Sequence, residues 1–415
     1  MDRFDVGVAL ALTALCYGAG IDAASDPPVA RVAASPAASS VASSVGLTPV
    51  ELARVVEHGP WPPAFVRDPT NRVSGVPAAI DLGRRLFFDP RFSPNGYVAC
   101  VACHQPDRSF TDNLPRARGL APVERNAIAL QNLRLHRNYG WGGAADSLWM
   151  ASLRPILDPR EIGANAATVA SIVQTGDGVA CRYKAAFGDE PSAHDAETVL
   201  VNVAKALAAY EETLVTGRTP FDDYRDALAR GDTPPTSYPV DARRGIKIFF
   251  GRGNCHACHK GANFTDDAFR GTAVRTFIGQ DVPDAGRIDA LRYVRASRYN
   301  LSGPYNDDPA KTGASAVRDA KFEPLDHARW RTPSLRNVAV TAPYLHNGTA
   351  ATLYDVVRRY ARAPGQWPYI DDERRIRRVD LSPRDVDDLV AFLETLTDID
   401  GERRPLTPLV PTVCD

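Results

Sequence analysis

Between Asp195 and Val215 the apolar side chains recur every three or four residues, the pattern of a buried helix, with Asp195 placed to cap it. A second pattern opens at Ser382-Pro383-Arg384-Asp385, an acidic variant of the capping box with proline in the first turn. Val386, Leu389, Val390, Phe392, Leu393 and Leu396 then form a stripe that must face a core. Thr352 to Ala361 reads as a further helix. No series of strictly alternating polar and apolar residues appears, so the expectation is a mainly α protein with long loops. Two loops, roughly 105–125 and 267–333, are long enough to be functional.

The N-terminal end follows other rules. Val6 to Ala14 is a short apolar run followed by small residues through Ala23-Ala24-Ser25, and residues 1–24 read as a signal peptide. Its leading segment is a poor match, since Asp2 and Asp5 accompany Arg3. Leu15 stands before Cys16 where a lipoprotein site wants a small residue. Residues 25–47 are Ala, Ser, Val and Pro with almost no large side chains; they bury too little to offset their ordering entropy and read as a flexible tether. Folded structure is expected from near Thr48.

The rest of the chain carries an internal echo. Asp81-Leu-Gly-Arg-Arg-Leu-Phe-Phe-Asp89 resembles Asp241-Ala-Arg-Arg-Gly-Ile-Lys-Ile-Phe-Phe250, and Phe-Thr-Asp occurs at both 110–112 and 264–266. The two copies lie about one domain length apart, too far for a solenoid repeat. The expected organisation is therefore two homologous modules, 48–218 and 219–415.

Composition narrows the function classes. Lys plus Arg total 49 and Asp plus Glu 50, so the net charge of −1 offers no general attraction for nucleic acid. No apolar run is long enough for a membrane span outside the extreme N-terminus. Only two methionines are present, Met1 and Met150.

Each module contains one Cys-x-x-Cys-His site: Cys100-Val-Ala-Cys103-His104 and Cys255-His-Ala-Cys258-His259. Chance would produce that spacing far less than once in a chain with 7 Cys and 8 His. It is the attachment site of c-type haem, in which two thiols bond the vinyl groups and the histidine binds iron. The competing reading is zinc, which wants two more Cys or His ligands beside each pair; the remaining histidines do not supply them at zinc-ribbon spacing. Haem attachment of this kind takes place outside the cytoplasm, in keeping with a leader and a periplasmic location. Once a leader is removed, Cys181 and Cys414 are the remaining thiols, either joined as a disulfide or buried separately.

Further blocks carry a family resemblance. They are Gly83-Arg-Arg-Leu-Phe-Phe-Asp-Pro-Arg-Phe-Ser-Pro-Asn-Gly96, both haem sites, Arg331-Thr-Pro-Ser-Leu-Arg-Asn-Val-Ala339 and Thr341-Ala-Pro-Tyr-Leu-His-Asn-Gly348. Over about residues 78–396 the chain resembles the bacterial dihaem cytochrome c peroxidases, and within them the MauG branch. The resemblance implies two cytochrome c-like haem domains. Ordinary members place a methionine on the second haem fourteen residues after the histidine of the Pro-Tyr-x-His block; here that position is Tyr360, as in the MauG branch. Left to the residues alone, Tyr344 or Tyr354 could take that place, or the site could be open. A phenolate is a hard, anionic ligand that favours oxidised iron, where a thioether favours ferrous iron.

The resemblance also implies roles around the first haem. No histidine stands between Gln105 and Leu135, so the first haem lacks the distal ligand of resting peroxidases. Glu161 matches the distal carboxylate, and Pro155 the residue that crowds the same pocket in this branch. Trp141 matches the tryptophan between the haems; without the resemblance it would read as core packing, as Trp61, Trp149, Trp330 and Trp367 do. Asn126, Thr341 and Pro343 match the calcium site of the family. The implied reaction uses hydrogen peroxide to reach a bis-ferryl-like state that oxidises an aromatic residue, a tryptophan, of a partner protein, to a quinone or to kynurenine. The alternatives are a peroxidase fed by a small cytochrome or cupredoxin, and an electron carrier with two six-coordinate haems.

Overall fold

The structure, a computed structural model, describes residues 46–271, 277–278, 282–321, 328–362, 379–398 and Cys414. The leader and most of the tether, together with Trp367, lie outside the described residues. Folding begins where a cap allows it: Thr48 accepts from the Glu51 amide and Glu51 answers to the Thr48 amide, a complete capping box. The helices that follow are α1 (Pro49–Val56), α2 (Pro77–Phe87), α3 (Cys100–Cys103), α4 (Leu148–Leu157), α5 (Ala166–Thr175), α6 (Val179–Phe187), α7 (Ala196–Glu211), α8 (Pro220–Arg230) and α9 (Val240–Phe250). After them come α10 (Arg287–Ala296), α11 (Ala314–Arg318), α12 (Leu353–Arg362) and α13 (Pro383–Glu394). Strands are few and short among the described residues: β1 (Phe269–Gly271) pairs antiparallel with β4 (Arg329–Arg331), and β2 (Phe277–Ile278) with β3 (Val282–Pro283). The fold is mainly α, and none of the described helices is long and apolar enough to cross a membrane.

The capping residues act as the sequence predicts. Asp195 accepts from the Thr198 amide at the head of α7, and Ser382 and Asp385 form the reciprocal box at the head of α13. Thr352 and Asp355 exchange the same bonds before α12. The stretch 267–333 differs from the expectation of one long loop, because it contains α10, α11 and both strand pairs. Charged residues interrupt the apolar rhythm of α10, yet Ile288, Ala290, Leu291 and Val294 are buried and Arg287 with them. That buried arginine hides the helix from a reading by hydrophobic period.

Two aromatic and aliphatic cores form. The first gathers Leu82, Phe87, Trp149, Met150, Leu153, Leu207 and Tyr210; the second gathers Phe221, Phe249, Phe250, Phe264, Leu389 and Phe392. They do not divide the chain at one point: Leu52 and Val55 of α1 pack in the second core, while Leu291 and Val294 of α10 pack in the first. In each core a glycine lets two helices touch backbone to backbone. A Cβ on Gly83 of α2 would stand 1.9 Å from the Ala206 carbonyl of α7, and one on Gly245 of α9 would stand 2.1 Å from the Asp388 carbonyl of α13. Cys181 and Cys414 are joined as a disulfide, which decides the question the sequence left open.

Candidate functional site

Each Cys-x-x-Cys-His site is one tight turn that follows a glycine-bearing helix, α2 or α9. In the first, Cys100–Cys103 make a single helical turn; in the second, Cys255–Ala257 make a 3-10 turn. The chain then doubles back through a phenylalanine in the left-handed region, Phe110 (φ 57°) or Phe264 (φ 51°). This reversal presents the phenylalanine carbonyl to the histidine: His104 Nδ1 lies 3.0 Å from Phe110 O, and His259 Nδ1 lies 3.0 Å from Phe264 O. A carbonyl can only accept, so Nδ1 carries the proton and Nε2 keeps its lone pair for a metal. A second carbonyl, of Ile128 for His104 and of Pro333 for His259, also supports each ring, while burial holds both imidazoles neutral.

The four cysteines are unpaired and half-buried. Burial pushes the Cys103 thiol up to about 11 and the Cys255 thiol up to about 12. These are neutral thiols, unlike the acidic thiols of redox Cys-x-x-Cys pairs. Among the described residues, no three His, Cys, Asp or Glu side chains converge on a point that could hold a metal ion. Two neutral thiols beside one imidazole with a free Nε2 suit a macrocycle bonded at its edge and ligated at its centre.

Around the first site, Glu161 sits in the turn after α4. Its main chain is pinned: the Leu120 amide donates to Glu161 O at 3.0 Å and the Ala121 amide to Arg160 O at 2.9 Å. Gly119 permits this closeness, since a Cβ there would lie 2.5 Å from Glu161 O. Burial raises the Glu161 carboxyl above its ordinary range, opposed by Arg154, whose Nη2 is 3.8 Å away. Its carboxylate is close enough to add to the burial that opposes ionisation of Cys100 and Cys103. Pro155 lies in α4 and accepts from the Ile162 amide at 3.1 Å.

Trp141 belongs to neither core. Its Nε1 donates to Asn126 O at 2.9 Å, and its carbonyl accepts from the Arg331 amide at 2.8 Å. Asn126 is two residues from Ile128, which supports His104; Arg331 is two residues from Pro333, which supports His259. Trp141 is thus hydrogen-bonded to the flanks of both sites. His346 packs edge-on to it, with centroids 6.5 Å apart, and stacks on Trp330 at 3.8 Å.

Near the second site, Tyr360 is close enough to Cys255 and Cys258 for a thiolate there to oppose its ionisation, and burial does most to push its hydroxyl up to about 12. Tyr360 packs in neither core, whereas Tyr344 and Tyr354 line the second core and Tyr344 feels Glu394 rather than the cysteines. Met150 is fully buried in the first core.

For the residues expected to hold calcium, the Asn126 amide donates to His346 O at 3.0 Å, which joins Asn126 to the strip carrying Thr341 and Pro343. Asn126 Nδ2 is committed to Leu114 O at 2.8 Å, so its Oδ1 is left as a hard donor of the kind calcium takes.

Several polar residues here escape a reading of the sequence. Asp267, just past the second site, binds His136 Nδ1 at 2.6 Å and Arg331 Nη1 at 2.9 Å, both buried, and accepts from the Arg137 amide at 3.0 Å. His58 reaches the His259 carbonyl at 2.8 Å through Nε2. Arg336 pairs with Asp222 in a fully buried ion pair and donates to Ala262 O at 2.7 Å. Arg331 and Arg336 are visible in their motif, and a buried arginine demands a buried acid, yet nothing local says which acid.

Comparison with known proteins agrees with this geometry. Residues 77–230 match the family model for di-haem cytochrome c peroxidase. The methylamine utilization protein MauG of Methylorubrum extorquens is 33% identical over 323 residues, covering 77% of this chain and 78% of the relative. Cytochrome-c peroxidase IdrP2 of Denitromonas iodatirespirans is 31% identical, covering 81% of this chain and 84% of the relative. A solved MauG-like protein associated with microbial copper homeostasis superposes with a TM-score of 0.62 at 26% identity, covering 85% of this chain and 99% of that one. The chain therefore belongs to the di-haem cytochrome c peroxidase family, on its MauG-like branch, and is a haem-dependent oxidoreductase of the peroxidase type.

Proposed function

We propose that this protein uses hydrogen peroxide to oxidise an aromatic side chain, a tryptophan, of a partner protein that docks outside the haem pockets. The observation that carries the reading is Tyr360: it lies within the electrostatic reach of Cys255 and Cys258, while Met150, the one internal methionine, is buried in the other core. Haems bonded at the two Cys pairs would supply peroxide reduction and a store for two oxidising equivalents. His104 and His259, each held through Nδ1 by a carbonyl, would offer Nε2 to the haem irons. Glu161, raised by burial, is suited to take the proton from the near peroxide oxygen and return it to the far one. Pro155 narrows the same pocket. Tyr360 offers a hard oxygen in place of a thioether and so favours oxidised over ferrous iron. Trp141 passes electrons between the two sites, and the Asn126 carbonyl at its N–H eases the loss of one. Asn126, Thr341 and Pro343 would hold one calcium ion.

The duplication and a periplasmic location belong to the same proposal. Both modules repeat a glycine contact, a left-handed phenylalanine and a carbonyl-bound histidine, which supports descent from one haem-binding unit.

The test is a paramagnetic resonance spectrum of the holoprotein before and after stoichiometric peroxide. One high-spin and one low-spin ferric signal, both lost on peroxide, are expected; Tyr360→Met should raise the second haem's potential and abolish the shared two-equivalent state. A low-spin signal that persists beside an organic radical, with rapid turnover of reduced cytochrome c, would favour a peroxide-scavenging enzyme instead.

A further inference from the structure

Two indoles flank His346, and the chain treats them in opposite ways. Trp141 Nε1 donates to the Asn126 carbonyl at 2.9 Å. Trp330, only 2% exposed, has no acceptor for its Nε1 among the described residues. Its ring stacks on His346 with centroids 3.8 Å apart and planes 13° from parallel, and His346 meets Trp141 at 6.5 Å. Electrons can therefore pass from Trp330 through His346 to Trp141 across van der Waals contacts. Nothing in distance alone keeps Trp330 from being oxidised whenever Trp141 is.

Charge provides the barrier. An indole that gives up an electron becomes a cation. A carbonyl at the N–H stabilises that cation, and a guanidinium beside the ring opposes it. Consecutive residues supply one of each: the Asn126 carbonyl serves Trp141, and the Arg125 guanidinium lies 4.7 Å from the Trp330 ring centroid. Asp284 holds Arg125 Nη2 at 2.7 and 2.8 Å, so the cation is fixed in place, although the carboxylate offsets part of its charge.

We propose that Arg125 confines the oxidising equivalents to Trp141 and the haem pair and protects Trp330 from oxidation while a partner is awaited. The proposal rests on the reading of Trp141 as the relay between the sites. Without the cation, Trp330 would lose two electrons and two protons and take an oxygen atom from water, so that one C–H bond becomes C–OH. The two electrons and two protons convert one hydrogen peroxide to two waters, with its O–O bond broken. The net reaction is one indole hydroxylated and one water released per peroxide.

The experiment treats full-length holoprotein with a small excess of hydrogen peroxide and no partner, then maps oxygen incorporation at Trp330 and Trp141 by peptide mass spectrometry. Arg125→Gln should raise oxidation at Trp330 by about tenfold over the unaltered protein. Arg125→Lys, which keeps the charge, should stay near the unaltered level. Arg125→Met, closer to arginine in volume, should repeat the glutamine result and guards against a glutamine variant that fails to fold. Trp330→Phe in the Arg125→Gln background should remove the product and its radical signal. If neither neutral variant oxidises Trp330 more than the unaltered protein, while Trp141→Phe abolishes the two-equivalent state, the role of Arg125 is overturned and the relay stands. If Trp141→Phe leaves that state intact, the relay reading falls and the confinement role with it.

Discussion

A single carboxylate or phenol here acquires its chemistry from what surrounds it. Glu161 is raised because burial outweighs Arg154, so it can hold a proton where a surface glutamate would not. Glu161→Gln keeps the shape and removes that capacity; kcat/KM for peroxide should drop about a hundredfold or more, with the resting spectrum unchanged. Glu211, at the end of α7 and close enough to influence Cys100, is the more extreme case: burial pushes its carboxyl up to about 8 against the pull of Ser152. Ser152 Oγ lies 2.9 Å from Leu148 O and 3.0 Å from Glu211 Oε2, so a protonated Glu211 lets every partner be satisfied. An acid whose folded value is raised binds its proton more tightly in the native state. Its contribution is complete below its unfolded value near 4.5 and is lost as pH climbs through about 8. Thermal stability should therefore fall from about pH 5 to about pH 9, and Glu211→Gln should flatten the slope. A midpoint in the Gln variant that follows the same curve would mean that Glu211 is ionised in the fold.

At the scale of elements, the two helix pairs around glycine are the frame on which both sites hang. The helix that leads into each Cys-x-x-Cys-His turn crosses a second helix of its core, α7 at Gly83 or α13 at Gly245, where carbonyls leave no room for a Cβ. Gly245→Val would force α9 away from Asp388 and Phe392 and disturb the packing of Phe249 on Phe392, whose centroids are 4.9 Å apart. The expected cost is about 3 kcal/mol or more, read as a lower urea midpoint, with weakened haem retention at the second site only. Equal loss at both sites would show that the pairs are not independent. The caps were legible because each is a local feature, as Asp195 and Ser382 announce themselves within a few residues; the blocks around Gly83 and Gly245 showed as a repeat, but not that their glycines seat a second helix. Helix α10 was not, because its buried Arg287 and exposed charges break the period that marks a helix.

Across the whole molecule, the chain ties distant segments together. Segment 47–56 packs into the second core, α10 packs into the first, and Cys414 is bonded to Cys181 of α6 at a Cα separation of 5.7 Å. The bond closes a sequence separation of 233 residues, so replacing both cysteines by serine should cost about 2–4 kcal/mol in unfolding, with little change at the haems. By itself the sequence determined the two Cys-x-x-Cys-His motifs, the mainly helical class, the helix caps and the tyrosine fourteen residues after His346. Each of these is set by residues adjacent along the chain or by a motif of fixed spacing. Only the tertiary structure decided which buried acid answers which buried arginine: Asp267 for Arg331, Asp222 for Arg336, Asp284 for Arg125. It alone set Trp330 against His346 and Arg125. The physical reason is that a charge or an aromatic face in the interior takes its meaning from neighbours that meet only after folding, and no local pattern records who they will be.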